Sequence, residues 1–263
     1  HCVTGVQTCA LPISAPEIKN ENDVLIQVKA ASVNPLDIKI RMGYMQKMRP
    51  VQLPFTPGLD AAGIITAIGT NVTQCKVGDE VIAVTMGNAY AEYVIANENF
   101  VSLKPKNISF EEATSLAVNI GTAQTILFTE GKLEKGQKVL IQGAAGSVGA
   151  TMLQLAINKG LYVIATASGK GVELVNSLGA NEVIDYKTQE VTKLVKDVDL
   201  VADCAGGESQ AKLFVVLKSG GKLLSIAGQP SAELAEEYNV DARFISSNLS
   251  SKSLRSEEHT SEL

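Results

Sequence analysis

The sequence has no tryptophan, only 2 histidines, 4 cysteines and 5% aromatic residues. That scarcity of thiol and imidazole excludes a disulfide-dense miniprotein and offers no ligand spacing of the kind that holds structural zinc. Positive charge is also short. Lys and Arg number 23 against 28 Asp and Glu, a net charge of −5 with no basic stripe, so nucleic acid is not an expected partner. No apolar run approaches the roughly 18–20 residues of a membrane span, and no membrane insertion is expected. What is present is an ordinary globular balance. Of 263 residues, 45% are hydrophobic and 19% charged, enough for one large or two ordinary domains.

The two ends read as something other than natural coding sequence. Back-translating Arg255–Leu263 (RSEEHTSEL) gives a DNA segment whose reverse complement translates to VQTCALPI, which is Val6–Ile13. One DNA segment read from opposite strands thus encodes both ends, as a sequencing-library adapter carried into an assembled gene would. Residues 1–13 and 255–263 are therefore expected to be non-native and are left out of the fold reasoning. They hold His1, His259, Cys2 and Cys9, and the loss of Arg255, Glu257, Glu258 and Glu262 moves the net charge from −5 to −3. Cys75 and Cys204 remain, at no metal-ligand spacing. They point to a reducing compartment, the cytoplasm by default, and no metal is expected. The parent protein is expected to be truncated at both termini.

Between the ends the composition divides. Residues 22–104 carry short β-rich runs broken by Gly, Pro and Asn: Val24–Ala31, Ala62–Gly69, Glu80–Val84 and Ala91–Ile95. Such strands with frequent turns predict a barrel or sandwich. Residues 109–130 read as one helix, with Ser109 as N-cap and Glu111 and Glu112 in its first turn. Strands and helices then alternate. Strands are expected at Lys138–Gln142, Tyr162–Ala165, Glu182–Asp185, Asp199–Asp203 and Lys222–Ile226, with another starting at Arg243. Helices are expected at Ser147–Asn158, Val172–Leu178, Thr188–Lys196 and Ser209–Leu217. This spacing predicts a doubly wound parallel sheet.

Gly143, Gly146 and Gly149, in the run GAAGSVG (Gly143, Ala144, Ala145, Gly146, Ser147, Val148, Gly149), follow the strand KVLIQ directly and open a helix. The first glycine suits a tight turn, the second close backbone approach to a pyrophosphate, and the third close helix–sheet packing. The helix N-terminus then offers free N–H groups to phosphates. A bare tight turn is the structural alternative. At the end of the next strand, Thr166-Ala-Ser-Gly-Lys170 has no acid to bond a ribose 2′-OH. Ser168 and Lys170, with Tyr186 after the third strand, favour a 2′-phosphate, hence NADPH over NADH; Lys170 is equally readable as a solvated loop lysine.

These landmarks, together with Ala31–Asp37 (ASVNPLD), Pro57–Gly63 (PGLDAAG), Val77–Val81 (VGDEV), Ala89–Tyr93 (AYAEY) and Ser219–Lys222 (SGGK), resemble the medium-chain dehydrogenase/reductase superfamily. Within it, the resemblance is to the branch of zinc-independent quinone oxidoreductases and enone reductases. The resemblance covers nearly all of 22–250. It implies a GroES-like barrel domain over 14–108, lacking its first strand, and a Rossmann NADP-binding domain over 109–250, lacking its C-terminal part. Its active members reduce a quinone or an α,β-unsaturated carbonyl with NADPH, and relatives are often homodimers. Asn34 and Leu59 stand where zinc-dependent relatives carry Cys and His ligands, so an alcohol dehydrogenase is disfavoured. The resemblance implies that Tyr44 lines the substrate pocket, that Asn34 sits beside the nicotinamide ribose with Asp37, and that Thr122 lies near the nicotinamide. It also implies cofactor contacts from the backbone of Gly206, Ala227 and Gly228. Asn34 before Pro35 is equally a turn residue. A non-catalytic NADP(H)-binding protein with a sensing or structural role is the alternative, because Rossmann domains are widely reused.

Overall fold

The structure, a computed structural model, describes residues 15–47, 50–85 and 87–245; both adapter-like ends lie outside the described residues. The chain divides into two compact units after Thr114, and each is taken by itself.

The first unit is an open antiparallel sheet, a half-barrel of five strands. These are β1 (Asp23–Ala31), β2 (Asp60–Ile68), β3 (Glu80–Val84), β4 (Tyr93–Asn97) and β5 (Val101–Leu103), ordered β4-β1-β2-β3-β5. Period-2 alternation puts Val24 and Ile26 on the same buried face as Ala61, Ile65, Val81 and Val94. Register irregularities in β1 after Leu25 and after Val28 bend it across β2. Helix α1 (Pro35–Arg41) follows β1, with Pro35 at its first turn and Asn34 as its extended N-cap. Helix α2 (Phe110–Thr114) ends the unit. Its entry is a capping box: Glu112 N–H donates to Ser109 Oγ at 3.1 Å, and Ser109 N–H to Glu112 Oε2 at 2.8 Å.

The second unit begins with α3 (Ala117–Gln124), which widens into a π-helical turn over Thr125–Glu130. Gly131 N–H closes that turn on Ile126 O at 2.9 Å. The single helix expected over 109–130 is therefore three pieces, interrupted at Ser115–Leu116, where the two units meet in sequence. Six parallel strands follow: β6 (Lys138–Gln142), β7 (Tyr162–Ala167), β8 (Glu182–Asp185), β9 (Val198–Asp203), β10 (Leu217–Ser225) and β11 (Asp241–Phe244). Their order is β11-β10-β9-β6-β7-β8. Crossovers run through α4 (Ser147–Asn158), α5 (Lys170–Ser177), α6 (Val191–Leu194), α7 (Glu208–Lys212) and α8 (Ala232–Glu237). The chain steps outward from β6 to β8, then returns to lay β9 on the other side of β6. The topological switch point, where open α/β sheets bind ligands, is thus at the carboxyl ends of β6 and β9.

Both faces of this sheet are covered, which is why its strands read as near-continuous apolar runs. Val139 and Ile141 pack with Met152 and Leu153 of α4 on one side; Leu140, Val201 and Leu223 pack with Leu213 and Phe214 on the other. Two expected helices are shorter than read. Thr188–Lys196 contributes only α6, where β-branched Val191, Thr192 and Val195 and the left-handed Asp197 (φ 57°) limit its length. Ser209–Leu217 is α7 tightened into a 3₁₀ turn at Leu213–Val216. At the amino ends of the strands, Asp199 accepts from Gln137 Nε2 (3.0 Å) and Lys138 N–H (2.8 Å) and pairs with Lys218. Burial pulls its pKa up, but these partners together hold it below the usual carboxylate range.

Candidate functional site

At the switch point β6 turns through Gly143–Gly146 into α4. Gly143 has φ +77°, a left-handed conformation that costs glycine little. A Cβ on Gly149 would lie 2.4 Å from Gly143 O, so only glycine lets α4 start against the turn. A Cβ on Gly146 would meet only Gly143 O, at 3.3 Å, so its bareness leaves open space. Gly146 is also the N-cap of α4 and provides no side-chain cap for the first N–H groups, those of Ser147, Val148 and Gly149. An anion there would satisfy the amides and the positive end of the dipole. Ala144 is buried and Ala145 packs on the core. Ala144 N–H donates to Thr166 O (3.1 Å) and Gly143 N–H to Thr166 Oγ1 (3.3 Å), tying the loop to the end of β7.

Just beyond β7, Ser168 Oγ–H donates to Tyr186 Oη at 2.9 Å, and exposed Lys170 opens α5. The structure thus gathers Ser168 and Tyr186 as the sequence suggested. Gly143, Thr166 and Tyr186 line a cavity of about 480 Å³ with Gln142, Ala205 and Ser209. Gln142, Ala205 and Ser209 were not singled out from sequence; a glutamine closing an otherwise apolar strand was the signal.

The loops after β9 and β10 are organised by a group that sequence reasoning also missed. Asp203 is fully buried. Its Oδ1 accepts from Ala205 N–H (3.0 Å) and Gly206 N–H (2.8 Å), and its Oδ2 from Gln210 Nε2 (2.7 Å) and Ser225 Oγ (2.8 Å). Ser225 Oγ in turn accepts from Ala227 N–H (3.1 Å) and Gly228 N–H (3.2 Å). The N–H groups of Gly206, Ala227 and Gly228 are therefore committed within the unit, which narrows the expected backbone contacts to their other atoms. Thr122 is buried, its hydroxyl donating to Val118 O at 2.7 Å. Burial, reinforced by the neighbouring Asp203 charge, pushes the Cys204 thiol up to about 12, so it is no nucleophile at neutral pH.

In the first unit a second polar cluster forms. Asp37 is 4% exposed; its Oδ2 accepts from Asn34 N–H (2.9 Å) and Tyr90 Oη (3.0 Å), and its Oδ1 from Gly58 N–H (3.2 Å). The carboxylate clasps the start of α1, the turn before β2 and Tyr90. Asn34 Nδ2 donates to Ser32 Oγ (3.2 Å) and lies 3.3 Å from both oxygens of buried Asp60, to which Ser32 also donates. Burial, then the bond to Asp37 and the charges of Asp37 and Asp60, push the Tyr90 phenol up to about 12. Asn34 and Asp37 are thus brought together. Tyr44 is outside this cluster, 71% exposed in the turn after α1.

Among the described residues, no group of three or more His, Cys, Asp or Glu is placed to hold a metal ion, and no helix is long and apolar enough to cross a membrane. Residues 20–106 match the alcohol dehydrogenase GroES-like domain and residues 147–256 the zinc-binding dehydrogenase domain. The chain is 40% identical over 230 residues to an NADPH-dependent alkenal/one oxidoreductase, chloroplastic, of Arabidopsis thaliana, covering 82% of this chain and 58% of that protein. It is 34% identical over 232 residues to a quinone-oxidoreductase homolog, chloroplastic, of Spinacia oleracea, covering 84% of this chain and 70% of that one. The solved quinone oxidoreductase of Coxiella burnetii superposes with a TM-score of 0.79 at 30% identity, over 92% of this chain and 79% of that one. The chain thus spans little more than half the length of the Arabidopsis relative.

Proposed function

Because the chain belongs to the medium-chain dehydrogenase/reductase superfamily, we propose that it is an NADPH-dependent reductase of quinones or α,β-unsaturated carbonyls that works without zinc. One observation carries the reading. At the switch point an uncapped α4 N-terminus lies beside a Ser168–Tyr186 pair and Lys170, with no carboxylate in 166–170. These residues fit a dinucleotide 2′-phosphate: the α4 amides take the pyrophosphate, and two hydroxyls and an ammonium take the extra phosphate. The relatives' names for alkenal/one and quinone substrates support the acceptor class.

NADPH would supply the hydride; the protein supplies binding, orientation and electrostatics. Asn34, its amide fixed by Asp60 and Ser32, would be the residue that positions the nicotinamide ribose. Asp37 touches neither substrate nor cofactor in this reading; it is a positioning residue that holds the Asn34 turn. The exposed Tyr44 hydroxyl donates a hydrogen bond to the acceptor's carbonyl oxygen, the polarisation a metal would otherwise provide. Zinc independence is supported by the residues themselves: Leu59 is a buried aliphatic, and 14–254 has no histidine. Only two cysteines in 14–254, Cys75 and Cys204, at no metal-ligand spacing, suit a reducing compartment such as the cytoplasm.

Binding of NADPH and NADH, followed by nicotinamide fluorescence, and NADPH consumption with a small enone and a quinone under chelator test this. We expect NADPH to bind about 10-fold or more tighter than NADH, about one charge-assisted contact's worth. Lys170→Ala should erode that preference, and consumption should survive chelator. Tight binding without consumption of either acceptor would move the protein to a sensing or structural role.

A further inference from the structure

We propose that Gln210 is a positioning residue for the nicotinamide half of the bound dinucleotide: its buried amide ties the loops after β9 and β10 to each other in the conformation that receives that half. The inference rests on the NADPH reading above and deepens it.

The sheet order decides where each half lies. In the NADPH reading the pyrophosphate sits at the α4 N-terminus, on the turn after β6, and the 2′-phosphate at Ser168, Tyr186 and Lys170, beyond β7. The strands run β10-β9-β6-β7. The adenosine half is then on the β7 side, and the other half leaves the pyrophosphate toward the carboxyl ends of β9 and β10. Those strands are about 5 and 10 Å from β6, within reach of a ribose and its ring. The loops that meet it there are 204–207, after β9, and 226–231, after β10.

Gln210, on α7, is buried and reaches both loops. Its Nε2 donates to Asp203 Oδ2 at 2.7 Å and to Gly228 O at 3.2 Å. Both partners are acceptors, so the amide presents its NH₂ to them and spends one hydrogen on each. Ser225 Oγ lies 3.0 Å from the same nitrogen, but its lone pairs already take the N–H groups of Ala227 and Gly228. Gly228 is thus held at both polar atoms, its N–H by Ser225 and its C=O by Gln210. Its bare side is nonetheless open: a Cβ there would meet nothing within 4 Å. The two loops also touch, since a Cβ on Gly206 (φ +70°) would lie 2.9 Å from Ala227 Cβ. The result is a ledge fixed in advance, with room over Gly228 for a ring. A loop already held in its bound conformation does not have to be ordered by the ligand, and affinity gains accordingly. An apolar side chain at 210 would fill the same space, but it would release the Gly228 carbonyl.

The test titrates the whole chain by calorimetry with NADPH and with adenosine 2′,5′-bisphosphate, which keeps the adenosine half and lacks the nicotinamide half. Gln210→Met, similar in volume and without donors, should weaken NADPH about 10-fold and leave the fragment within about 2-fold. An equal loss for both ligands would mark Gln210 as a general support of the unit and overturn this inference alone, as would undiminished NADPH binding. A second readout needs no variant, so a poorly folding Gln210→Met would not shield the proposal. In the unaltered chain, amide hydrogen exchange over 204–207 and 226–231 should slow with NADPH and stay unchanged with the fragment. Equal protection by both ligands, or none by NADPH, overturns the inference. Failure of the unaltered chain to bind NADPH overturns the NADPH reading together with it.

Discussion

Asp203→Asn isolates what a fully buried carboxylate contributes to the nucleotide end of the sheet. Each Asp203 oxygen accepts two donors: two backbone N–H groups on one side, Gln210 Nε2 and Ser225 Oγ on the other. Asparagine keeps the size and one oxygen but points an NH₂ at one of these donor pairs. The favourable choice keeps the backbone pair and sets NH₂ against Gln210 and Ser225. Two bonds to a charged acceptor are then lost, at about 1.5–3 kcal/mol each. Removing a desolvated charge returns part of this, leaving a net loss of about 2–4 kcal/mol. With no tryptophan to follow, far-UV circular dichroism in urea is the assay. At a slope of about 2 kcal/mol per M, the midpoint should fall by about 1–2 M with the slope unchanged. A loss below about 1 kcal/mol would refute the reasoning, because it would mean that burying the charge costs as much as its bonds return.

Other perturbations test other parts of the structure. Gly149→Val would place a Cβ 2.4 Å from Gly143 O, so it should destabilise by about 1–3 kcal/mol and weaken NADPH binding; an unchanged thermal midpoint would count against the close approach. With its thiol pushed up to about 12, Cys204 should resist iodoacetamide at pH 8 in the folded chain and react in urea, as read by mass spectrometry. Equal labelling in both states would contradict that burial. The folded chain holds the Tyr90 proton to about 12, against 10.0 unfolded, so its bond to Asp37 stabilises fully below about pH 10 and is lost as pH rises through 12. Tyr90→Phe should therefore flatten the alkaline fall in stability; identical alkaline profiles would exclude Tyr90 as its source.

The legible parts of the fold share a physical cause. Lys138–Gln142, Ser147–Asn158 and Glu182–Asp185 have the bounds expected from sequence, because glycines or helix ends flank apolar runs that need burial on both sides. The seven residues of α1 and the three of β5 were not read, being too short to show a period. In α6 the pattern suggested a longer helix than β-branched residues and a left-handed Asp197 permit. The phosphate-loop glycines were legible because their chemistry is local. Asp203 and Gln142 were not, because their meaning depends on bonds to Ser225, 22 residues on, and Ser209, 67 residues on, and those are properties of the packed sheet. Asp37 is legible only as a neighbour of Asn34; the three donors on its carboxylate come from Asn34, Gly58 and Tyr90, and sequence alone does not bring the last two together with it.

Strand β9 is pinned by a carboxylate at each end, and the two pins obey different physics. At the amino end Asp199 leans on the ammonium of Lys218, whose side chain is 46% exposed. At the carboxyl end Asp203 has only neutral donors and is sealed from water. Mobile ions screen the first over a Debye length that shrinks from about 8 Å to 3 Å as salt rises from physiological strength to 1 M. They have no access to the second. Rising ionic strength should therefore let β9 fray from its amino end, with faster amide exchange there, while the end that holds the nucleotide loops keeps its protection. The sheet can breathe at its base without loosening the loops at its carboxyl end.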